Sequence, residues 1–387
     1  MATGFPTKAN WAAGDVLTAS ALDDLAGTVN LLSNASATSG SQLVSNAAGT
    51  SFAYQATPSA SNPVLNSAMQ VWQRGTSVAI AGSAGGYVSD RWYVQSVATG
   101  SAVTVTRQAT SDTTNLPFIQ YCSRVQRNSG QTATGNIIFS QSMETINSIP
   151  FAGKTVTMSF YARAGANYSG ASNALSVYLI SGTGTDQNRG AGTPYTGEAF
   201  PINLQSATLT TTWQRFTFTG TVGATATELA FYTFYTPTGT AGANDYFEIT
   251  GCQIDIGSVA LPFRTFSQTY QNELAACQRY YWRLSGAAPY SNGFICQTAA
   301  RSSSTSYGTI KLPVSMRSAP TFTAASGTNY FEWVFSASFL ENTILAQTLG
   351  TDVVAIKNNT VTGFTAGQGG ELNLNSTSAY LDFSAEL

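Results

Sequence analysis

At 387 residues the chain is long enough for two or three domains, yet only 9% of it is charged and its net charge is −2. The 17 basic residues form no cluster able to neutralise a phosphate backbone, which excludes nucleic-acid binding. Histidine is missing altogether, removing the commonest general base and metal ligand, and no run approaches the ~20 apolar residues of a membrane span.

Small polar residues and 35 glycines replace the missing charge, a composition expected of a β-rich chain that hides much of its surface in an assembly. Cys122, Cys252, Cys277 and Cys296 lie far apart with no CxxC pair, so buried free thiols are expected rather than zinc ligands or a disulfide framework. The first residues, MATGFPTKANW, contain no apolar core of signal-peptide length, so synthesis and assembly in a cytoplasm are expected.

Residues 1–17 read as extended, broken at Pro6 and Gly14. From Thr18 a helix is predicted, with Asp23 and Asp24 in its first turn and Leu22, Leu25, Val29 and Leu32 at steps of three, four and three. So short a helix is marginal alone, so the seam is predicted to pack against copies of itself. Residues 34–62 hold few large apolar side chains (Leu43, Val44, Phe52, Tyr54) and read as a stalk or connector.

From Val64 to Phe263 short alternating runs follow one another, punctuated by Gly, Pro, Asn and Ser, which predicts an antiparallel jelly-roll sandwich. NSAMQVWQ and DRWYVQSVA are read as its first strands. In ELAFYTFYT, alternation sends Phe231 and Tyr235 to one face and Tyr232 and Phe234 to the other, so one pair should line the core and the other meet a second subunit or a ligand. CQIDIG alternates as a closing strand and ends at Gly257 and Pro262; ELAACQRYYWRLS is predicted to begin as a helical turn and continue as a strand. The expected domains are therefore 1–33 (attachment segment and helix), 34–62 (connector), 63–265 (jelly roll) and 266–387 (a small C-terminal β domain at the distal tip). The last strand, AYLDFSAEL, should be tied down against other subunits.

NPVLNSAMQVWQRGTS, SDRWYV, CQIDIGSVALPF and ELAACQRYYWR, in this order and spacing, resemble blocks of bacteriophage tail-fibre and receptor-binding structural proteins. LPVSMRSAPTFT and AYLDFSAEL resemble the C-terminal domain of that family, and GDVLTASALDDLAGTVNLL its N-terminal attachment and trimerising helix. The resemblance covers most of the chain, but residues 100–250 match in strand rhythm only. It implies a mostly β homotrimer in a virion, on tail, collar or head, with a jelly roll similar to carbohydrate-binding modules. It further implies contact with other virion proteins through the N-terminus and with a host-surface glycan or protein.

Trp72, Arg74, Asp90, Arg91 and Trp92 supply what a sugar site needs, an aromatic face beside planar donors and acceptors, although core tryptophans with a strand-pinning ion pair explain them better, since both tryptophans lie in segments that alternate as core strands. Tyr290, Tyr330 and Trp333, with Tyr307, are candidates for a glycan platform at the tip. Tyr280, Tyr281 and Trp282 are candidates for packing three chains about an axis. No catalytic residue, cofactor or metal is assigned: carboxylates are sparse, and Asp245, Glu248 and Asp255 read as an exposed sheet edge or, less simply, a structural Ca²⁺ site. The competing readings are a carbohydrate-binding module attached to an enzyme and a capsule depolymerase.

Overall fold

The computed structural model describes residues 41–45, 52–56, 62–99, 101–286 and 292–387. The heptad Leu22, Leu25, Val29 and Leu32 and the candidate Tyr290 lie outside them. In the connector, Ser41–Ser45 and Phe52–Ala56 pair antiparallel.

Residues 62–264 form a sandwich of two six-stranded sheets in which every neighbouring pair is antiparallel. The first sheet runs Ala199–Thr208, Ala174–Gly182, Glu228–Tyr235, Ile137–Ser142, Tyr93–Ser96, Gly85–Tyr87. The second runs Gln214–Thr221, Thr155–Ala164, Tyr246–Ile256, Tyr121–Arg127, Val103–Ala109, Ser77–Ile80. From residue 121 onward the chain passes back and forth between the sheets, save that Ala174–Gly182 and Ala199–Thr208 follow one another in the first, the winding of a jelly roll. The residues that alternation sends inward fill the space between them. Trp92 stacks on Phe139 at 4.6 Å, and Phe231 meets both Trp92 (5.5 Å) and Phe160 (5.8 Å) edge-on.

Within the closing strand Tyr246–Ile256 a bulge between Thr250 and Gln253 lets Cys252, Ile254 and Ile256 face this core. Gly251 makes the bulge at φ +60°, and a Cβ there would stand 2.7 Å from the Tyr161 ring.

NSAMQVWQ, read as a strand, is instead a series of turns, and Trp92 lies just ahead of its strand. Asn66 explains the first: its amide side chain bonds Val71 N and O (2.9 and 2.8 Å), folding the segment back on itself.

Thr269 caps the helix Tyr270–Gln278, whose Glu273 is buried and accepts from Ser267 N and Oγ at 3.1 and 2.9 Å and from Asn66 N. Tyr281–Ser285 then pairs with Tyr380–Ser384, which pairs with Thr321–Ala324. A seven-stranded antiparallel sheet completes this part, with Asn292–Ser302 and Gly369–Asn375 near its centre. Its apolar residues form a core of their own around Phe331, Trp333, Leu372, Leu381 and Phe383.

All four cysteines are free and buried. Burial raises their thiol pKa values, that of Cys296 to about 11, so none is a ready thiolate.

Candidate functional site: an aromatic shelf and a buried latch

The sequence blocks richest in aromatic and charged residues converge on the junction between the sandwich and the C-terminal part. Glu386 sits between two arginines, bonding Arg74 Nη2 at 3.1 Å and Arg91 Nη1. Arg74 also reaches Asp90 at 3.3 Å and lies over the Tyr281 ring at 3.4 Å; Arg91 lies over Tyr280 at 3.8 Å. Gln73 Nε2 donates to Tyr281 O (2.6 Å), Tyr280 Oη to Glu144 (2.7 Å), and Arg317 to Ala385 O (2.9 Å) and Asp186 (3.0 Å). Asn62, from the first block, ties the closing strand through Cys252 O at 3.0 Å.

This geometry corrects several expectations. Trp72, Asp90, Arg91 and Trp92 are buried, and Arg74 is committed to the junction, so these five offer no face to a sugar. Tyr280 and Tyr281 are buried against the same chain's arginines, and Trp282 stacks on Phe383 at 5.1 Å, so the three pack within one protomer rather than about an axis. The last strand is held within the C-terminal part by Tyr281–Ser285 and Thr321–Ala324, and Glu386 just beyond it reaches the sandwich. In the seven-stranded sheet, Trp333 is fully buried with Nε1 on Glu341 (2.8 Å), leaving Tyr330 and Tyr307 half-buried.

Asp245, Glu248 and Asp255 are neither exposed nor clustered. Each is buried on a different arginine: Arg127 (2.8 Å), Arg124 and Arg163 (2.6 and 2.5 Å), and Arg264. No group of three or more potential metal ligands occurs among the described residues.

Asp90 makes the latch sensitive to pH. Burial outweighs the Arg74 guanidinium and pushes its pKa from 3.8 to about 6. A carboxyl whose folded pKa is raised contributes stability that is complete below its unfolded value and lost as pH rises through the folded one. The wild type should therefore lose stability between about pH 4 and pH 6 relative to Asp90→Asn. Denaturant midpoints of both proteins across that range check this, and parallel curves would refute it.

A partly open aromatic surface lies elsewhere, on the outer face of the first sheet, where Tyr93, Tyr178 and Phe234 are half-buried and Ser140, Ile138 and Tyr232 are buried. Across its strands Tyr93, Ser140, Tyr232 and Tyr178 stand opposite one another in one row, and Gln95, Ile138, Phe234 and Ser176 in the next. Neighbouring rows across a sheet repeat at about 4.8 Å per strand, so these side chains make a continuous surface. Tyr178 and Phe234 are half-buried, with rings 5.9 Å apart and 11° from parallel. Phe200, 41% exposed, extends the shelf 5.4 Å beyond Tyr178.

The loop between Gly182 and Ala199 walls one side. Its Arg189 lies 5.3 Å from the Tyr232 ring and is fixed by Glu198 at 2.5 Å, while Gly190 comes so close to Ser140 that a Cβ would be 2.6 Å from its Oγ. Alternation in ELAFYTFYT located Tyr232 and Phe234. Tyr178 and Phe200 were missed, because each is a single aromatic in its own strand and only the pairing places them beside Phe234.

No family model and no curated protein matches the chain. Among solved structures it is similar to a CBM4 structure (23% identity over 35% of this chain and 71% of that one, TM-score 0.25). It is also similar to the CBM22-1 xylan-binding domain from Paenibacillus barcinonensis Xyn10C (13% identity, 53% and 100%, TM-score 0.30). A third is the enzymatically active domain of bacteriophage CBA120 tailspike protein 4, of which this chain spans 21% (10% identity, 51% of this chain, TM-score 0.30).

Proposed function

We propose that the chain is the protomer of a homotrimeric phage appendage, on tail, collar or head, that holds host-surface saccharides on the Tyr178–Phe234 shelf and does no chemistry on them. The shelf carries this reading. Near-parallel rings with polar neighbours (Ser176, Gln95) match the two faces of a pyranose, its apolar C–H surface and its hydroxyls. The family resemblance supports the virion setting, the trimer and attachment through residues 1–33. Use of the buried carboxylates as arginine partners supports adhesion over hydrolysis, which needs two carboxyls at a defined separation.

A glycan array probed with the wild type and with Tyr178→Ala/Phe234→Ala tests the assignment. The wild type should retain a saccharide set that the double variant loses at least about tenfold in affinity, as stacked aromatic anchors do. Equal binding by both proteins would remove the shelf from recognition. Sedimentation of the full chain at micromolar concentration should give three times the protomer mass; a stable monomer would overturn the trimer.

A further inference from the structure

The second sheet carries its own concavity on its outer face, built from residues that the shelf does not use. A pocket of about 450 Å³ opens between the 114–119 loop and Pro262–Phe263, floored by Tyr161 and Arg215. Those two residues stand directly opposite in the pairing of Gln214–Thr221 with Thr155–Ala164, so the sheet itself fixes them side by side. The volume lies in the range of small-ligand sites, and the lining has the usual composition of such sites, apolar and aromatic walls with few polar groups.

Two features point to a ligand and to its charge. Phe118 stands at the rim 88% exposed, the most exposed large apolar side chain among the described residues. Arg215 is the sole charged residue in the lining. It donates through Nη2 to Ser159 Oγ (3.2 Å) and Leu261 O, which orients it, but it makes no ion pair among the described residues and its buried Nε has no hydrogen-bond partner. By contrast, Arg124, Arg127, Arg163 and Arg264, the other arginines near this sheet's acidic residues, are each matched to a carboxylate. A half-buried, pre-oriented guanidinium without a carboxylate is a receptor for one, because its planar donor array fits carboxylate oxygens.

We infer that this pocket binds a sugar ring bearing a carboxylate, a hexuronate or similar acidic residue. The carboxylate meets Arg215, the ring's apolar face rests on Phe118 or Phe263, and hydroxyls reach Thr114 and Asn115 of the lining. The inference stands apart from the shelf and survives its failure.

Titration calorimetry of the full chain with D-glucuronate, with D-glucose as the neutral control, decides it. Glucuronate should bind the wild type, at least about tenfold more weakly to Arg215→Gln, and unchanged to Tyr178→Ala, with glucose weaker than glucuronate for the wild type and no longer so for Arg215→Gln. Phe118→Ala, at a solvent-exposed rim position that the fold does not use, should weaken glucuronate by about fivefold without changing the unfolding midpoint. No glucuronate binding at millimolar concentration, equal binding by Arg215→Gln, or a loss caused by Tyr178→Ala instead would each overturn the proposal.

Discussion

Replacing Glu386 by alanine should release the C-terminal part from the sandwich. The carboxylate is the counter-charge of Arg91, whose side chain is 1% exposed, and it also engages Arg74. Burial opposes the Arg91 charge and Glu386 offsets that cost; a guanidinium keeps its proton even when buried, so the arginine stays charged when the carboxylate is removed. Breaking one side of a buried pair costs about 3–5 kcal/mol.

Arg91 has nowhere cheap to go. It sits at φ +70°, a conformation unusual outside glycine, and its remaining bond is to Ser142 O at 2.7 Å. The more exposed junction pair, Arg279–Glu144, has an arginine side chain 42% open to water and should contribute no more than about 1 kcal/mol. Glu386→Ala should therefore split thermal unfolding into two transitions and open the 257–269 segment to protease, while Arg279→Ala should do neither. A single transition at the wild-type midpoint for Glu386→Ala would show that the junction is held by its apolar contacts alone.

Asp245→Ala should be comparably costly to the sandwich itself. Arg127 and Asp245 are both fully buried and 2.8 Å apart, and Asp245 also accepts from Ser169 N and Oγ at 2.9 and 2.7 Å. Removing the carboxylate leaves a buried, uncompensated guanidinium, again about 3–5 kcal/mol. Apolar replacement of both partners often restores stability in buried pairs. Here it should not, because Arg127 also donates to the carbonyls of Gln131, Ala133 and Gly239 at 2.9, 3.1 and 3.2 Å, which no apolar side chain can satisfy. Urea denaturation of Asp245→Ala and of Arg127→Met/Asp245→Leu checks both halves. Wild-type stability in the double variant would mean that the three carbonyls find other donors.

NSAMQVWQ apart, alternation identified the sandwich strands and divided Phe231 and Tyr235 from Tyr232 and Phe234 as the structure does, because a strand's period of two is written in adjacent residues. What covers a face is not written there. Gln253 and Asp255 alternate like an exposed edge, yet the following segment folds back over them through Leu261 and Arg264. The meeting of Arg91 with Glu386, 295 positions away, follows from how the C-terminal part docks and leaves no local trace. Residues of the described blocks that carry the family resemblance thus meet at one junction, whereas Tyr178, Phe200, Tyr232 and Phe234 of the shelf lie in the stretch that matched only in strand rhythm. Burial rather than display explains why tryptophan and arginine recur in those blocks.

The most direct test of saccharide recognition by the shelf is a crystal structure of the full chain with the best-binding array saccharide. Shelf recognition predicts a pyranose ring lying over Tyr178 and Phe234, beside Arg189 and within reach of Gln95 or Ser176. A saccharide bound at another surface, with the two rings bare, would contradict it.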